Sequence, residues 1–308
     1  MNLKAKQKRP VQTHIVVFII PALIIYTVFV VYPFLVSFRL SLYDWKGLGP
    51  MIYVGLGNFV KLFTKEPFNQ QFFNALKHNI IFFVVTMVVQ NLVGLVLAII
   101  LSRRIKGSAV FQAVYFLPVT LSLVVVGYLW TLMLNPMWGT VNLILRAVGL
   151  GSLARPWLGD PHTALLAIIF VNAWQWIGFP LLVFLASIQG IPDEFFEAAR
   201  IDGASEWHVA RYITVPLILP SITMVTIMTF IGTMNAFDIV YTMEGILGSP
   251  FFSTDVLGTF FYRTAFGTVW GTPGNLGFGS AVAVVMFLMV LIVSYTWLRI
   301  TRKHEVQY

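Results

Sequence analysis

The sequence predicts an all-α, polytopic membrane bundle of six transmembrane helices, built as one domain over residues 1–308. Composition is the first ground. Of 308 residues, 58% are hydrophobic and only 10% charged, and mean hydropathy is +0.83, whereas a water-soluble domain carries about a quarter charged residues. Segmentation is the second. A helix rising ~1.5 Å per residue needs about 20 apolar residues to cross a bilayer, and six runs reach that length: 15–37, 79–101, 110–134, 163–187, 217–241 and 280–299. Helices also satisfy their own backbone hydrogen bonds in lipid, which open sheets do not.

The first run follows Lys4, Lys6, Lys8 and Arg9, as the core of a secretory signal would. It is too long for such a core, and its exit YPFLVSFRLS offers no small-x-small cleavage site, so an uncleaved helix is expected. Twelve of the 20 Lys and Arg lie in 1–14, 102–108, 188–213 and 299–308. The other eight are spread over 38–78, 135–162 and 242–279, nearly twice as many residues. The positive-inside rule then places both termini, the RRIKG turn and the loop 188–216 in the cytoplasm. The formal net charge of +8 has the same origin and suits anionic headgroups, not nucleic acid.

Polar residues inside the spans are candidates for a translocation path. Gln90 and Asn91 lie roughly 17 Å into the second span, and Asn172 roughly 15 Å into the fourth. Helical spacing puts Asn172, Gln175 and Phe179 on one face with Trp176 beside them, and Asn235 and Asp238 on one face near the outer end of the fifth span. Amides suit hydroxyl groups and aromatic rings suit the C–H faces of sugars. Buried Asn and Gln also bond helices to one another, a role at least as common. Before the fourth span, Asp160 and Pro161 read as an N-cap and first helical residue; as a metal pair, Asp160 and His162 lack further ligands.

Between the fourth and fifth spans the pattern changes to IPDEFFEAARIDGASEWHVARYITVPLILP. Pro192, Asp193 and Glu194 favour a helix start. Asp202-Gly203 is a stop, Ser205 a cap for a second short helix, and Pro216 and Pro220 punctuate the approach to the fifth span. The pattern predicts a helix–turn–helix too polar to insert and too small to fold alone, a surface built to dock.

Other chemistry is poorly served. There is no cysteine, hence no disulfide, thiolate ligand or cysteine nucleophile. GTPGNLGFG at 271–279 lacks the lysine and the strand–turn–helix setting of a phosphate loop, and no Walker A pattern occurs. No metal site or cofactor is expected. No internal repeat supports the plan of many secondary transporters, and the spans hold no His cluster, carboxylate pair or nucleophile–base arrangement of a membrane enzyme.

EAARIDGASEWHVARYITVP matches the EAA-x3-G-x9-I-x-L-P signature, with Glu197, Ala198, Ala199, Gly203, Ile213 and Pro216 in register and Val215 replacing the usual leucine. The chain thereby resembles the inner-membrane permeases of binding-protein-dependent ABC importers. YVGLGNFVKLF at 53–63, WLGDPHTALLAIIFVNAWQWIGFPLLVFLASIQGIP at 157–192, FDIVYT at 237–242 and STDVLGTFFYRTAFG at 253–267 resemble the sugar branch, the maltose, glycerol-3-phosphate and oligosaccharide permeases. TMEGILGSP and TVWGTPGN are longer than that branch usually has. The resemblance implies a type I ABC importer fold, a second homologous permease, two copies of an ABC ATPase that hydrolyse ATP in place of this chain, and an extracytoplasmic sugar-binding protein. It makes the helix ending at Gly203 a coupling helix, with Glu197, Ala198, Ala199, Asp202, Gly203, Ile213 and Pro216 as ATPase-coupling residues. A secondary transporter or channel for a small polar solute is the competing class; it usually needs buried carboxylates at mid-depth, and only Asp238 comes close.

Overall fold

The computed structural model describes residues 13–103, 105–268 and 273–303. Lys4, Lys6, Lys8, Arg9, Arg104, residues 269–272 of the TVWGTPGN stretch and the last five residues, each used above for orientation or loop length, lie outside the described residues.

Three helices are long and apolar enough to cross a membrane without a break: Val17–Leu40, Phe68–Leu101 and Leu276–Thr301. Three further pairs pass the same test jointly but are sharply bent, so the helices supply up to six spans. The bundle is therefore helical, as expected, with several boundaries and axes that differ from the hydropathy windows.

The second span begins at Phe68, eleven residues before its apolar window, because the polar turn FNQQFFNALKHN already buries Phe72, Ala75 and His78. The expected third span is not straight. Ser108–Thr120 and Leu123–Met133 meet at 97°, with Leu121 and Ser122 extended between them. Pro118 tightens the last turn before the break. The fourth span bends by 43° at Ile177, where Pro180 cannot donate the backbone hydrogen bond that a straight helix needs. Gly178 sits at this bend for a steric reason: a Cβ there would lie 2.3 Å from Tyr115 O. The two bent spans touch backbone to backbone at that point.

Two further expectations are corrected. Helix four starts at Ala164 with Thr163 at the N-cap, not at Asp160; the Asp160 carboxylate instead accepts from His162 N at 2.9 Å and closes a turn. In the fifth span Leu219–Met234 follows Glu206–Leu217 at 71°, and Phe237–Glu244 is a separate helix. Asn235 Nδ2 donates to Ile231 O at 3.0 Å while its own backbone leaves helical geometry, the local competition that ends helices at such residues. Asn235 and Asp238 thus do not share a helix face.

The stretch 38–78 is compact. A two-residue hairpin (Tyr43–Asp44 with Ile52–Tyr53) and the helix Gly57–Thr64 are tied together by Asn58 Nδ2, which donates to Ser41 O and Tyr43 O at 2.9 and 2.8 Å. Three buried clusters hold the bundle. One joins Phe82, Ile168, Ile169 and Val240. A second joins Ala98, Leu181, Phe184 and Ile218. The third joins Phe72, Met234, Phe260 and Phe278.

Candidate translocation cavity and coupling loop

The break between Met234 and Phe237 and the bends of spans three and four leave a cavity of about 310 Å³ between spans two, three, four and five. Gln90 enters its wall from span two through a local change of helical register, since Met87–Leu92 is wound as a π-helix; such bulges often re-aim side chains at functional sites. Span four supplies Asn172, Trp176 and Phe179, and the broken end of span five supplies Asn235 and Asp238. Hence six of the polar and aromatic residues picked out above meet in one place. Among the described residues, the Asn172 amide and the Asp238 carboxylate have no hydrogen-bond partner, so both are free to meet a solute.

Two of the picked residues stand apart from this wall. Gln175 is buried and its Nε2 donates to Leu121 O at 3.1 Å. That carbonyl is one of those released where span three bends, so Gln175 braces the bend. Asn91 is buried too; its Nδ2 donates to Thr229 Oγ1 at 2.8 Å and its Oδ1 accepts from Gln90 Nε2 at 3.2 Å. It ties span two to span five and orients Gln90. Both follow the helix-bonding reading that residue type alone left open. Conversely, hydropathy gave no reason to single out Thr86, Met228, Thr229 and Thr233, which also line the cavity; Thr86 Oγ1 is buried without a hydrogen-bond partner.

The loop between spans four and five forms the expected helix–turn–helix. Asp193–Ile201 is the first helix, with Asp193 and Glu194 in its first turn and Arg200 in its last, charges placed to complement the helix ends. It stops in a Schellman motif: Gly203 N donates to Arg200 O at 3.1 Å and Ala204 N to Ala199 O at 2.9 Å. Gly203 has φ +71°, the left-handed conformation that glycine adopts without strain. Ser205 caps the second helix by accepting from His208 N at 3.4 Å.

Burial divides the signature residues. Ala199 is buried against the chain's own helices and Ile213 and Pro216 are half-buried, while Glu197, Ala198, Asp202 and Gly203 are exposed. Ile201, beside them, is 87% exposed, an apolar side chain offered at the tip of the loop. Arg103 reaches Glu206 at 3.1 Å, joining the turn after span two to the second helix; with both side chains well exposed, that pair adds little stability.

This arrangement has counterparts. The family model described as "Binding-protein-dependent transport system inner membrane component" matches residues 90–300. The probable ABC transporter permease protein YurN of Bacillus subtilis is 38% identical over 280 residues, 90% of this chain and 92% of that one. The lactose transport system permease protein LacF of Rhizobium radiobacter is 34% identical over 279 residues, 90% of each chain. A solved bacterial ABC transporter involved in the import of the acidic polysaccharide alginate superposes with a TM-score of 0.75 at 24% identity, covering 94% of this chain and 95% of that chain; that likeness is one of fold.

Proposed function

From the chain's membership of the binding-protein-dependent transport system inner membrane component family, we propose that it is the permease subunit of an ATP-driven importer for a sugar or oligosaccharide. It works beside a second, homologous permease and two copies of an ABC ATPase, and takes its cargo from an extracytoplasmic sugar-binding protein. The loop 188–216 and both termini lie in the cytoplasm. The observation that carries this reading is the cavity, where free amide and carboxylate groups stand beside Trp176 and Phe179. Relatives named for lactose, for trehalose and maltose, and for starch degradation products support the same cargo class.

Coupling follows from the loop. Glu197, Ala198, Asp202 and Gly203 present the docking face to the ATPase. Ala199, Ile213 and Pro216 anchor that face to the bundle. ATPase closure draws the loop inward, and the spans, hinged at their bends, rock between inward-open and outward-open states, a two-state element biased from both sites. Reconstitution in liposomes with the partner permease, ATPase and binding protein tests this: uptake of labelled oligosaccharide is expected only with ATP and binding protein together. Uptake by the isolated chain driven by an ion gradient would replace the reading with secondary transport.

A further inference from the structure

Among the residues of the cavity wall, Asp238 is the one charged side chain; every other lining residue is neutral. Its carboxylate is exposed and meets no cation among the described residues; only its backbone carbonyl is engaged, accepting from Thr242 Oγ1 at 2.7 Å. Position in the first turn of Phe237–Glu244 gives it a local structural role, since a negative group complements the start of a helix. That role does not cancel the field it projects into a cavity with low-dielectric walls, where a single charge acts more strongly than in water.

We propose that Asp238 is a charge filter, making the cavity reject anionic carbohydrates such as uronates and sugar phosphates while admitting neutral and amino sugars. The inference rests on the cavity being the sugar path. A neutral sugar donates hydroxyl hydrogen bonds to the carboxylate, and these charge-assisted bonds are stronger than neutral ones. An ammonium on an amino sugar gains more. A carboxylate or phosphate on the cargo loses water, meets a like charge, and finds no lysine, arginine or histidine on this wall to compensate. On this inference the cargo differs in charge from that of the fold neighbour named for an acidic polysaccharide.

The absence of native cysteine allows a test that needs no knowledge of the cargo. Gly232 lines the cavity, and a Cβ there meets no atom within 4 Å, so Gly232→Cys places a thiol on the wall. The assembled importer is treated with two methanethiosulfonates of similar size, one bearing trimethylammonium and one bearing sulfonate. Modification of this chain is followed by mass spectrometry, each rate being normalised to a free thiol. The cationic reagent is expected to react faster, and Asp238→Asn to lower the cation-to-anion rate ratio by about tenfold. Asp160→Asn, the same charge change outside the cavity, should leave the ratio alone. A ratio unaltered by Asp238→Asn would overturn the filter while leaving the path intact. A thiol that neither reagent reaches, at 232 and equally in Asn235→Cys, would remove the path and the filter together.

Discussion

Arg263 and Asp255 face each other as a bidentate ion pair, Nη1 to Oδ1 at 2.7 Å and Nη2 to Oδ2 at 2.6 Å, with the Asp255 side chain fully buried. Thr259 Oγ1 donates to the same carboxylate at 2.7 Å, and the Asp255 carbonyl is 2.7 Å from His78 Nδ1. Two residues further on, Leu257 N donates to Asn79 Oδ1 at 2.7 Å, and Asn79 Nδ2 donates to Thr233 O at 2.6 Å. Thr233 lines the cavity. The pair therefore fixes the loop after Glu244 against span two, and through Asn79 it sets the end of span five that carries Asn235 and Asp238.

Removing one partner of such a pair leaves a buried charge without compensation, which costs about 3–5 kcal/mol. Arg263→Met is expected to lower stability by that order. The double variant Asp255→Leu/Arg263→Met should recover a large part of the loss, because no charge is left stranded. Thermal unfolding in detergent, followed by tryptophan fluorescence, reads both; an Arg263→Met protein as stable as the parent would show that the pair is not what holds this loop.

Asn172 and Gln175, three residues apart, should respond oppositely to replacement by leucine. Asn172→Leu deletes a free group on the cavity wall; a hydrogen bond lost in a desolvated site costs roughly 1–3 kcal/mol, so uptake should fall about tenfold or more with assembly unchanged. Gln175→Leu leaves Leu121 O unpaired at the bend of span three. Its effect should be a lower yield of assembled complex, with normal transport per complex. Measuring yield and uptake together decides the assignment, and the reverse pattern would exchange the two roles.

Glu244, outside the spans, has its carboxyl pushed up to about 7 by burial, from an ordinary value of 4.5. The folded chain thus holds a proton that the unfolded chain has released between those values. Stability from this group is full below pH 4.5 and is lost as pH rises through about 7. Glu244→Gln, which stays neutral, should raise the unfolding temperature at pH 8 and change it little at pH 4. An equal effect at both values would exclude titration of Glu244 as the cause.

Single cysteines at Ser108 and Ser205 should be shielded from an impermeant thiol reagent in intact cells, and one at Ser152 should react. All three replacements are isosteric, and Ser152 and Ser205 are exposed. Labelling of Ser205→Cys from outside would reverse the orientation and take the docking face away from the ATPase.

Residues show why some of this was legible in sequence and some was not. Caps and stops are local: Pro192, Gly203 and Ser205 each act on backbone groups within five residues, so the helix–turn–helix of the loop 188–216 was readable from order alone. Pro118 and Pro180 mark where a helix can bend, but the 97° and 43° angles depend on Gly178 meeting Tyr115 and on Gln175 reaching Leu121, contacts 54 or more residues apart. Gln175 misled for a related reason. A 3.6-residue period places it beside Asn172, yet the span bends just past it. The anchoring of the outer loop rests on Asp255, Arg263, His78 and Asn79, polar residues whose separation gives no periodic signal.

Gly203→Val tests the coupling loop most directly. The backbone there has φ +71°, and a Cβ would meet nothing within 4 Å, so no neighbour is displaced and the whole penalty is conformational. Left-handed geometry costs an L-residue roughly 1–2 kcal/mol, and a β-branched residue is a sharper outlier than asparagine, which tolerates it. Gly203→Val should therefore unwind the Schellman turn and shift Ile201 and Asp202, while Gly203→Asn retains the turn. Neither change reaches the spans, so insertion and the cavity should persist in both. In proteoliposomes, Gly203→Val and Glu197→Lys, which reverses the charge on the docking face, are expected to lose ATP-driven uptake and the stimulation of ATP hydrolysis by binding protein; Gly203→Asn should keep most of each. Wild-type uptake by Gly203→Val and Glu197→Lys at equal expression would leave the loop as a structural turn and would require another route from ATP to the spans.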